Sequence, residues 1–186
     1  FLRSYAIEKI LRSINPKTRI VSTTGYTSRE LNQIRKNKQI KNGKDFYMVG
    51  GMGHTSMIGL ASSIFSKKEI LCLDGDGAVL MHLGALALNG NFANKNFKHI
   101  IFNNSAHESV GGQKTLGDKI NLKKICLGLN YKNYYFSNSQ TSFNNNLKKF
   151  LNSKGPSLFE IKISLGSPKN LTRPKNLIQI KNKFKI

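Results

Sequence analysis

Two short segments contain the residues best suited to chemistry: Gly75-Asp76-Gly77 and, further along the chain, Asn103-Asn104. The glycines let backbone amides approach an anion closely, and a helix that starts at about Ala78 would direct its positive end at the same anion. The Asp76 carboxylate and the Asn104 amide oxygen are hard ligands of the kind that octahedral Mg²⁺ prefers. An isolated Asp-Gly pair is commonly a turn, so the prediction of a site depends on the two segments occurring together.

Each of these segments comes at the end of an apolar stretch that is typical of a buried strand. Residues 69–74 and 97–104 are apolar runs, as in a parallel sheet covered on both sides. Strand and helix patterns alternate along the chain, which predicts an α/β fold with a doubly wound parallel sheet and helices on both faces. Ligands bind beyond the carboxyl ends of the strands in such sheets, so we expect the two loops to converge on one site.

The remaining hydrophobic patterns predict the other elements of this sheet. We divide the chain into a domain of residues 1–165 and a basic tail of residues 166–186, which we expect to lie on the surface. Residues 41–46 are predicted to be a turn-rich connector. The predicted helices are 4–14, 27–37, one opened by the glycines at 50–53, one running from about 78 to 90, 121–129 and 140–153; the predicted strands are 19–24, 46–49, 69–74, 97–104, 133–136 and 157–163.

The composition indicates a globular protein with a strongly basic surface. The net charge is +21, and 39% of the residues are hydrophobic. Such a charge is compatible with a nucleic-acid-binding module, but most of the basic residues are lysines scattered along the chain, as on a solvated surface. The excess charge is also expected to attract small anionic ligands.

Location and redox state are predicted from what the sequence lacks. There is no apolar run of about 18 residues, so we expect no membrane span. The opening residues 1–14 form an amphipathic helical pattern rather than a signal peptide. Cys72 and Cys126 are far apart and are expected to be buried in a reducing compartment. The absence of a membrane span and of a signal peptide favours a cytoplasmic location.

The GDG segment, its spacer and the Asn pair together resemble the signature of the enzymes that depend on thiamine diphosphate. The resemblance implies that the side chains of Asp76 and Asn104 bind Mg²⁺, with the carbonyl of Ala106 as a third protein ligand. It also implies that Gly75, Gly77 and Ala78 lie beside the cofactor's diphosphate.

Two earlier segments extend this resemblance to the cofactor. Thr23, Thr24 and Gly25 match the first loop of the family's diphosphate-binding domain, which lies near the cofactor. Gly51 and Met52 match a loop whose bulky apolar residue lies under the cofactor and keeps it bent. A core methionine at a helix start is the other interpretation of Met52.

Longer segments resemble the phosphonopyruvate decarboxylases in particular. They include LDGDGAVLMHLGALALNG and NNSAHESVGGQKT. The resemblance implies conversion of phosphonopyruvate, a small anionic 2-oxo acid, to phosphonoacetaldehyde and CO₂ in phosphonate metabolism. Sulfopyruvate or another 2-oxo acid remains open as the substrate.

The loop after the Asn pair offers candidates for contact with substrate. His107 and Glu108 are candidates for proton transfer, and Ser109 and Lys114 are candidates for binding the phosphonate. Loops on a rigid scaffold often carry such functions, although solvent-facing residues are the simpler interpretation. Two other histidines are expected to be structural: His82 in the core and His99 in a strand.

One part of the active site is expected to come from elsewhere. In the resembled family a glutamate on a pyrimidine-binding domain contacts the cofactor, and no acidic residue of this chain matches its pattern. We therefore expect a pyrimidine-binding domain or subunit as partner, in a homo- or hetero-oligomer. A non-catalytic subunit and a basic nucleic-acid-binding module are the alternatives.

Overall fold

The computed structural model describes residues 1–40 and 44–184, and it contains one six-stranded sheet in which all strands are parallel. The strand order is β2-β1-β3-β4-β6-β5. The predicted doubly wound sheet is therefore confirmed. The strands are β1 (Arg19–Ser22), β2 (Phe46–Tyr47), β3 (Ile70–Gly75), β4 (Phe97–Asn103), β5 (Asn133–Ser137) and β6 (Ser157–Lys162).

Helices cover both faces of the sheet, because successive residues of each strand point to opposite sides. In β4, Ile100 and Phe102 belong to one apolar cluster, whereas Phe97 and Ile101 belong to the other. The helices are α1 (Arg3–Ser13), α2 (Tyr26–Asn37), α3 (Thr55–Phe65), α4 (Asp76–Met81), α5 (Ala85–Phe92), α6 (Leu122–Gly128), α7 (Gln140–Asn152) and α8 (Leu177–Phe184). The first cluster includes residues of α1, α2 and α7, and the second includes residues of α5 and α6.

The strand order creates a crevice between β1 and β3. The chain leaves β1 for β2 on one side and then crosses to β3 on the other side, so the connections diverge between these two neighbours. Ligands of open α/β sheets bind at such a point, beyond the carboxyl ends of the strands. Topology alone therefore brings the loops after β1 and β3 to the edges of one crevice.

The segment after the GDG motif departs from its prediction. A single helix from about 78 to 90 was expected, but the chain forms α4 and α5 with a turn between them, and α4 already begins at Asp76. His82 lies in this turn and is exposed, so the expectation of a core histidine was wrong. Its ring instead packs on the exposed ring of His54, with the centroids 4.3 Å apart. Because of the turn, the His82 side chain is not on the helix face that packs on the sheet.

His99 and the two cysteines lie where they were expected. His99 is fully buried in β4, with Nε2 3.4 Å from Asp74 Oδ2 and Nδ1 3.4 Å from the Tyr131 hydroxyl. Cys72 and Cys126 are buried and not disulfide-bonded. Burial raises the pKa of the Cys126 thiol to about 12 and that of Cys72 well above its usual value.

The basic tail lies on the domain and contains a helix that was not predicted. In α8, the ring of Phe184 packs on Phe46 with centroids 5.3 Å apart, and its carbonyl accepts a hydrogen bond of 2.8 Å from Arg19 Nη1. Residues 41–43 of the predicted connector lie outside the described residues. Across the described part of the chain, no helix combines the length and apolar character needed to cross a bilayer.

Candidate functional site

The crevice at the carboxyl edge of the sheet is a cleft of about 250 Å³. The loops that follow β1, β2, β3 and β4 all contribute to its walls. Most of the residues expected to bind the cofactor line it. These are Thr23, Thr24, Gly25, Met52, Gly75, Gly77, Ala78, Asn104 and Ala106.

Asp76 lies between two cleft-lining glycines, with its carboxylate largely shielded from solvent. Only 3% of the residue is exposed, and the Thr115 hydroxyl donates a hydrogen bond to Oδ2. Burial raises the pKa of the Asp76 carboxyl, while the Thr115 hydroxyl and nearby backbone amides partly oppose that rise. Because burial removes this carboxylate from solvent, a cation would be a favourable additional partner for it.

The two asparagines of the pair have different surroundings. Asn103 is buried, and its Nδ2 donates to Gly117 O and to Glu160 Oε1, each at 2.7 Å. Asn104 faces the cleft instead; its Oδ1 accepts from the Ala106 N–H at 3.1 Å. Of the two, Asn104 lines the cleft and Asn103 does not, so Asn104 is placed to meet a ligand; its binding of a metal stays a prediction.

Gly77 allows a side chain from the following loop to approach α4. A β-carbon built at this position would lie 2.5 Å from Cε1 and 2.7 Å from Nδ1 of His107. His107 also lines the cleft, so its ring and the first turn of α4 meet at the same wall. The backbone amides of that first turn have no acceptor within the helix.

The loop after β1 adds a hydroxyl group that lacks a partner. Thr23 is buried and lines the cleft, and its Oγ1 has no hydrogen-bond partner among the described residues. The neighbouring Thr24 accepts a hydrogen bond of 3.2 Å from the N–H of Gly50, which joins this loop to the loop after β2. Helix α2 begins directly after Gly25, so a second helix amino terminus borders the cleft.

Met52 is presented to the cleft by a tight turn. The flanking Gly51 and Gly53 have φ values of +61° and +87°, which side-chain-bearing residues rarely adopt. Met52 lines the cleft, whereas Gly51 lies just outside the wall. The turn therefore fixes one large apolar side chain against the space that a ligand would fill.

The loop after Asn104 places its four candidates differently. His107, Glu108 and Ser109 line the cleft, but Lys114 is exposed and lies outside it. Lys114 forms an antiparallel bridge with Ala106, which folds the loop back on itself. Glu108 accepts hydrogen bonds from Arg3 Nη2 at 3.0 Å and from the N–H of Gly166 at 2.6 Å.

Several residues at the site escaped prediction. Arg3, Arg29 and Arg173 line the cleft, and Thr115 binds Asp76. Arg3 could have been noticed in the sequence, because it directly precedes the first predicted helix and stands three and four positions before Ala6 and Ile7, on the apolar face of α1.

Comparison with protein families gives a match that covers most of the domain. Residues 23–161 match the family model described as the thiamine pyrophosphate enzyme C-terminal TPP binding domain. The phosphonopyruvate decarboxylase of Streptomyces viridochromogenes is 35% identical over 173 residues, which are 93% of this chain and 42% of that protein. The sulfopyruvate decarboxylase subunit beta of Methanocaldococcus jannaschii is 38% identical over 123 residues, which are 66% of this chain and 63% of that subunit.

Solved structures give the same fold. The thiamine diphosphate-dependent 4-hydroxybenzoylformate decarboxylase of Rhodococcus jostii RHA1 superposes with a TM-score of 0.71 at 16% identity, over 90% of this chain and 33% of that one. The chain thus spans less than half the length of the phosphonopyruvate decarboxylases that it matches. The chain belongs to the thiamine pyrophosphate enzymes, and residues 23–161 are its C-terminal TPP-binding domain.

Proposed function

We propose that this chain is the diphosphate- and Mg²⁺-binding part of a decarboxylase that converts phosphonopyruvate to phosphonoacetaldehyde and CO₂. The observation that carries the proposal is the cleft at the β1–β3 crevice, with Asp76 directly after β3 and Asn104 directly after the neighbouring β4. The similarity to phosphonopyruvate decarboxylases over 93% of the chain supports the choice of reaction.

The groups around the cleft fit the cofactor and its metal. The Thr23 hydroxyl is buried without a partner in the described residues, and a phosphate oxygen would satisfy it. Asp76, Asn104 and the carbonyl of Ala106 form an all-oxygen donor set of the kind that suits Mg²⁺. Gly75, Gly77, Ala78, Thr24 and Gly25 would hold the diphosphate, and Met52, from the turn that Gly51 allows, would contact the rings.

The chemistry is divided between cofactor and protein. When bound, thiamine diphosphate supplies the nucleophilic carbon and the electron-accepting ring that a 2-oxo acid decarboxylation requires. This chain's residues hold the diphosphate, present Met52 to the cofactor and exclude water from the cleft. His107, whose ring lies against Gly77, is our candidate for moving a proton during the reaction.

Cations at the cleft support an anionic substrate. Arg29 and Arg173 line it, and none of the ion pairs formed by the described residues includes either one. We assign them, together with Ser109, to binding the phosphonate, because guanidinium groups match such oxyanions well. Lys114 is exposed outside the cleft, so its part in binding is electrostatic attraction rather than contact.

A second 2-oxo acid has independent support. Sulfopyruvate also carries an additional anionic group, and subunits beta of sulfopyruvate decarboxylases are similar to this chain. Competition between the two substrates in one assay separates these alternatives. The nucleic-acid-binding module is not favoured, because the similar proteins are decarboxylases.

A pyrimidine-binding domain is the proposed partner, as a second chain or as another part of the same polypeptide. The name "subunit beta" carried by the sulfopyruvate decarboxylase relatives supports an assembly with another subunit. Large apolar side chains exposed on α3, α4 and α5 provide a surface for it.

The test is CO₂ release from phosphonopyruvate with thiamine diphosphate and Mg²⁺, using the chain combined with a pyrimidine-binding domain. We expect release that disappears in Asp76→Ala and in the isolated chain. Mg²⁺-dependent cofactor binding without release would move the proposal to another 2-oxo acid. Absence of both binding and release would refute it.

A further inference from the structure

The side chain of Asn104 is held in one orientation by two neighbours of opposite character. The Ala106 N–H donates to Oδ1, and the Glu108 carboxylate accepts from Nδ2, both at 3.1 Å. A backbone N–H is only a donor and an ionised carboxylate is only an acceptor. Exchanging the amide's oxygen and nitrogen would therefore break both contacts at once.

Glu108 is itself fixed by segments from both ends of the chain. Its Oε2 accepts from Arg3 of α1 at 3.0 Å, and its Oε1 accepts from the N–H of Gly166 at 2.6 Å. Arg3 also donates to Ser167 at 2.8 Å. These contacts come from outside residues 23–161, the region that the family model covers.

Both oxygens of Glu108 are thus already engaged by donors, which leaves the carboxylate poorly suited to proton transfer. Arg3 also pairs with Glu30 at 3.0 Å, so it places a cation beside the Glu108 carboxylate while retaining a second partner of its own. The arrangement resembles the hydrogen bonds that orient metal ligands from outside the coordination sphere.

We propose that Glu108 is a positioning residue that holds the Asn104 amide with its oxygen available to the metal, and that Arg3 and the segment at 166–167 hold Glu108 in turn. This inference rests on the proposed function of the cleft. It assigns Glu108 a role in metal affinity in place of the proton transfer expected from the sequence.

A matched pair of substitutions at Glu108 separates the loss of the oxygen that accepts from Asn104 from the loss of the negative charge. Glu108→Gln and Glu108→Met have nearly the same shape, and both remove the ion pair with Arg3, but only glutamine retains an oxygen that accepts from Asn104. Arg3 keeps Glu30 as its partner in both variants. Glu8→Met, at an ion-paired glutamate elsewhere on α1, is the control for the substitution itself.

The measurement is calorimetric binding of thiamine diphosphate over a series of MgCl₂ concentrations, with the chain joined to its pyrimidine-binding partner. We expect Glu108→Met to need roughly 10- to 100-fold more Mg²⁺ for half-maximal binding than Glu108→Gln, and to recover the affinity of Glu108→Gln at saturating Mg²⁺.

Equal Mg²⁺ requirements in the two variants would overturn the inference. So would weaker binding in Glu108→Met that persists at saturating Mg²⁺, since that pattern indicates a structural role without an effect on the metal. A wild-type assembly that binds no cofactor with Mg²⁺ is a different result, because it would reject the proposed function of the cleft itself.

Discussion

Asp76 combines burial with a proposed role, metal binding, that requires a negative charge. Desolvation raises the pKa of its carboxyl, so the charged form destabilises the folded chain when no cation is bound. Residues at functional sites often carry such a cost, which a bound ligand then offsets. The free energy of desolvating its charged carboxylate therefore distinguishes Asp76 from an ordinary surface aspartate.

Asp76→Asn should therefore stabilise the metal-free chain at neutral pH. Because the folded pKa is above the unfolded one, the wild type has its full stability below the unfolded pKa, near 3.9, and loses part of it as pH rises through the folded pKa. Asparagine still accepts from Thr115 but does not ionise. We expect a higher thermal midpoint for the variant at pH 7, a difference that vanishes below pH of about 4, and loss of Mg²⁺-dependent cofactor binding. Equal midpoints at neutral pH would contradict this prediction.

Two glycines of the motif should respond differently to the same substitution. A β-carbon at Gly77 meets the His107 ring, whereas one at Gly75 has no atom within 4 Å. We expect Gly77→Ala to lower the free energy of unfolding by about 1–3 kcal/mol, as overpacking does. Gly75→Ala should leave it unchanged in the metal-free chain and weaken cofactor binding, because the open space belongs to the ligand. Urea denaturation and calorimetry measure these quantities; a destabilised Gly75→Ala would show that protein atoms fill that space.

At the level of elements, the sheet holds the two loops that we propose bind the metal at one edge. Strands β3 and β4 pair from Ile70↔Phe97 to Gly75↔Phe102, so Asp76 and Asn104 each follow a strand end at the same edge. The buried Asp74–His99 contact connects the same two strands just before the site. Helices packed on the two faces support this part of the sheet.

Packing of α7 provides a test of that support. Phe143 is fully buried, stacked on Phe159 of β6 with centroids 6.0 Å apart. We expect Phe143→Ala to lower the free energy of unfolding by about 3–5 kcal/mol, the usual cost of deleting a core phenylalanine. Phe65→Ala, where the ring is 74% exposed, is the control and should change it by less than about 0.5 kcal/mol. Similar effects from both variants, measured by urea denaturation, would rule out α7 as a principal support of the core.

The whole molecule exposes a set of apolar side chains on one group of helices. Ile64 and Phe65 end α3, Met81 ends α4, and Leu88 and Phe92 lie on α5. Single exposed apolar residues are normal, but several on consecutive helices indicate a surface for another protein. The molecule also has a net charge of +21, and the resulting electrostatic field attracts anions.

Charged substitutions on that surface should weaken the proposed assembly. Phe92 is 63% exposed, and Phe92→Lys should reduce affinity for the pyrimidine-binding partner by about 30-fold or more if the ring is an interface anchor. The thermal midpoint of the isolated chain should not change. Ile178→Lys on α8, at a position 76% exposed, is the matched control and should bind normally. Sedimentation velocity of the mixed components provides the measurement, and normal assembly by Phe92→Lys would exclude α5 from the interface.

The sequence by itself determined the fold class and indicated several of the loops that line the cleft. Alternating apolar runs and helical patterns indicate a parallel sheet, because burial on both faces leaves a local signal. The Asp76 and Asn104 segments could also be recognised, because their residue types and spacing can be read directly from the sequence. The break between α4 and α5 left no comparable signal, because LMHLGALAL is compatible with one continuous helix.

Only the tertiary structure decided which side chains meet at the cleft. Arg3, Glu108 and Ser167 are far apart in sequence, and their contacts depend on how α1 and the tail pack on the finished sheet. The exclusion of Lys114 from the cleft likewise follows from the folding of its loop onto Ala106. Local patterns report burial and backbone preference, whereas contacts between distant segments arise only when the elements pack together.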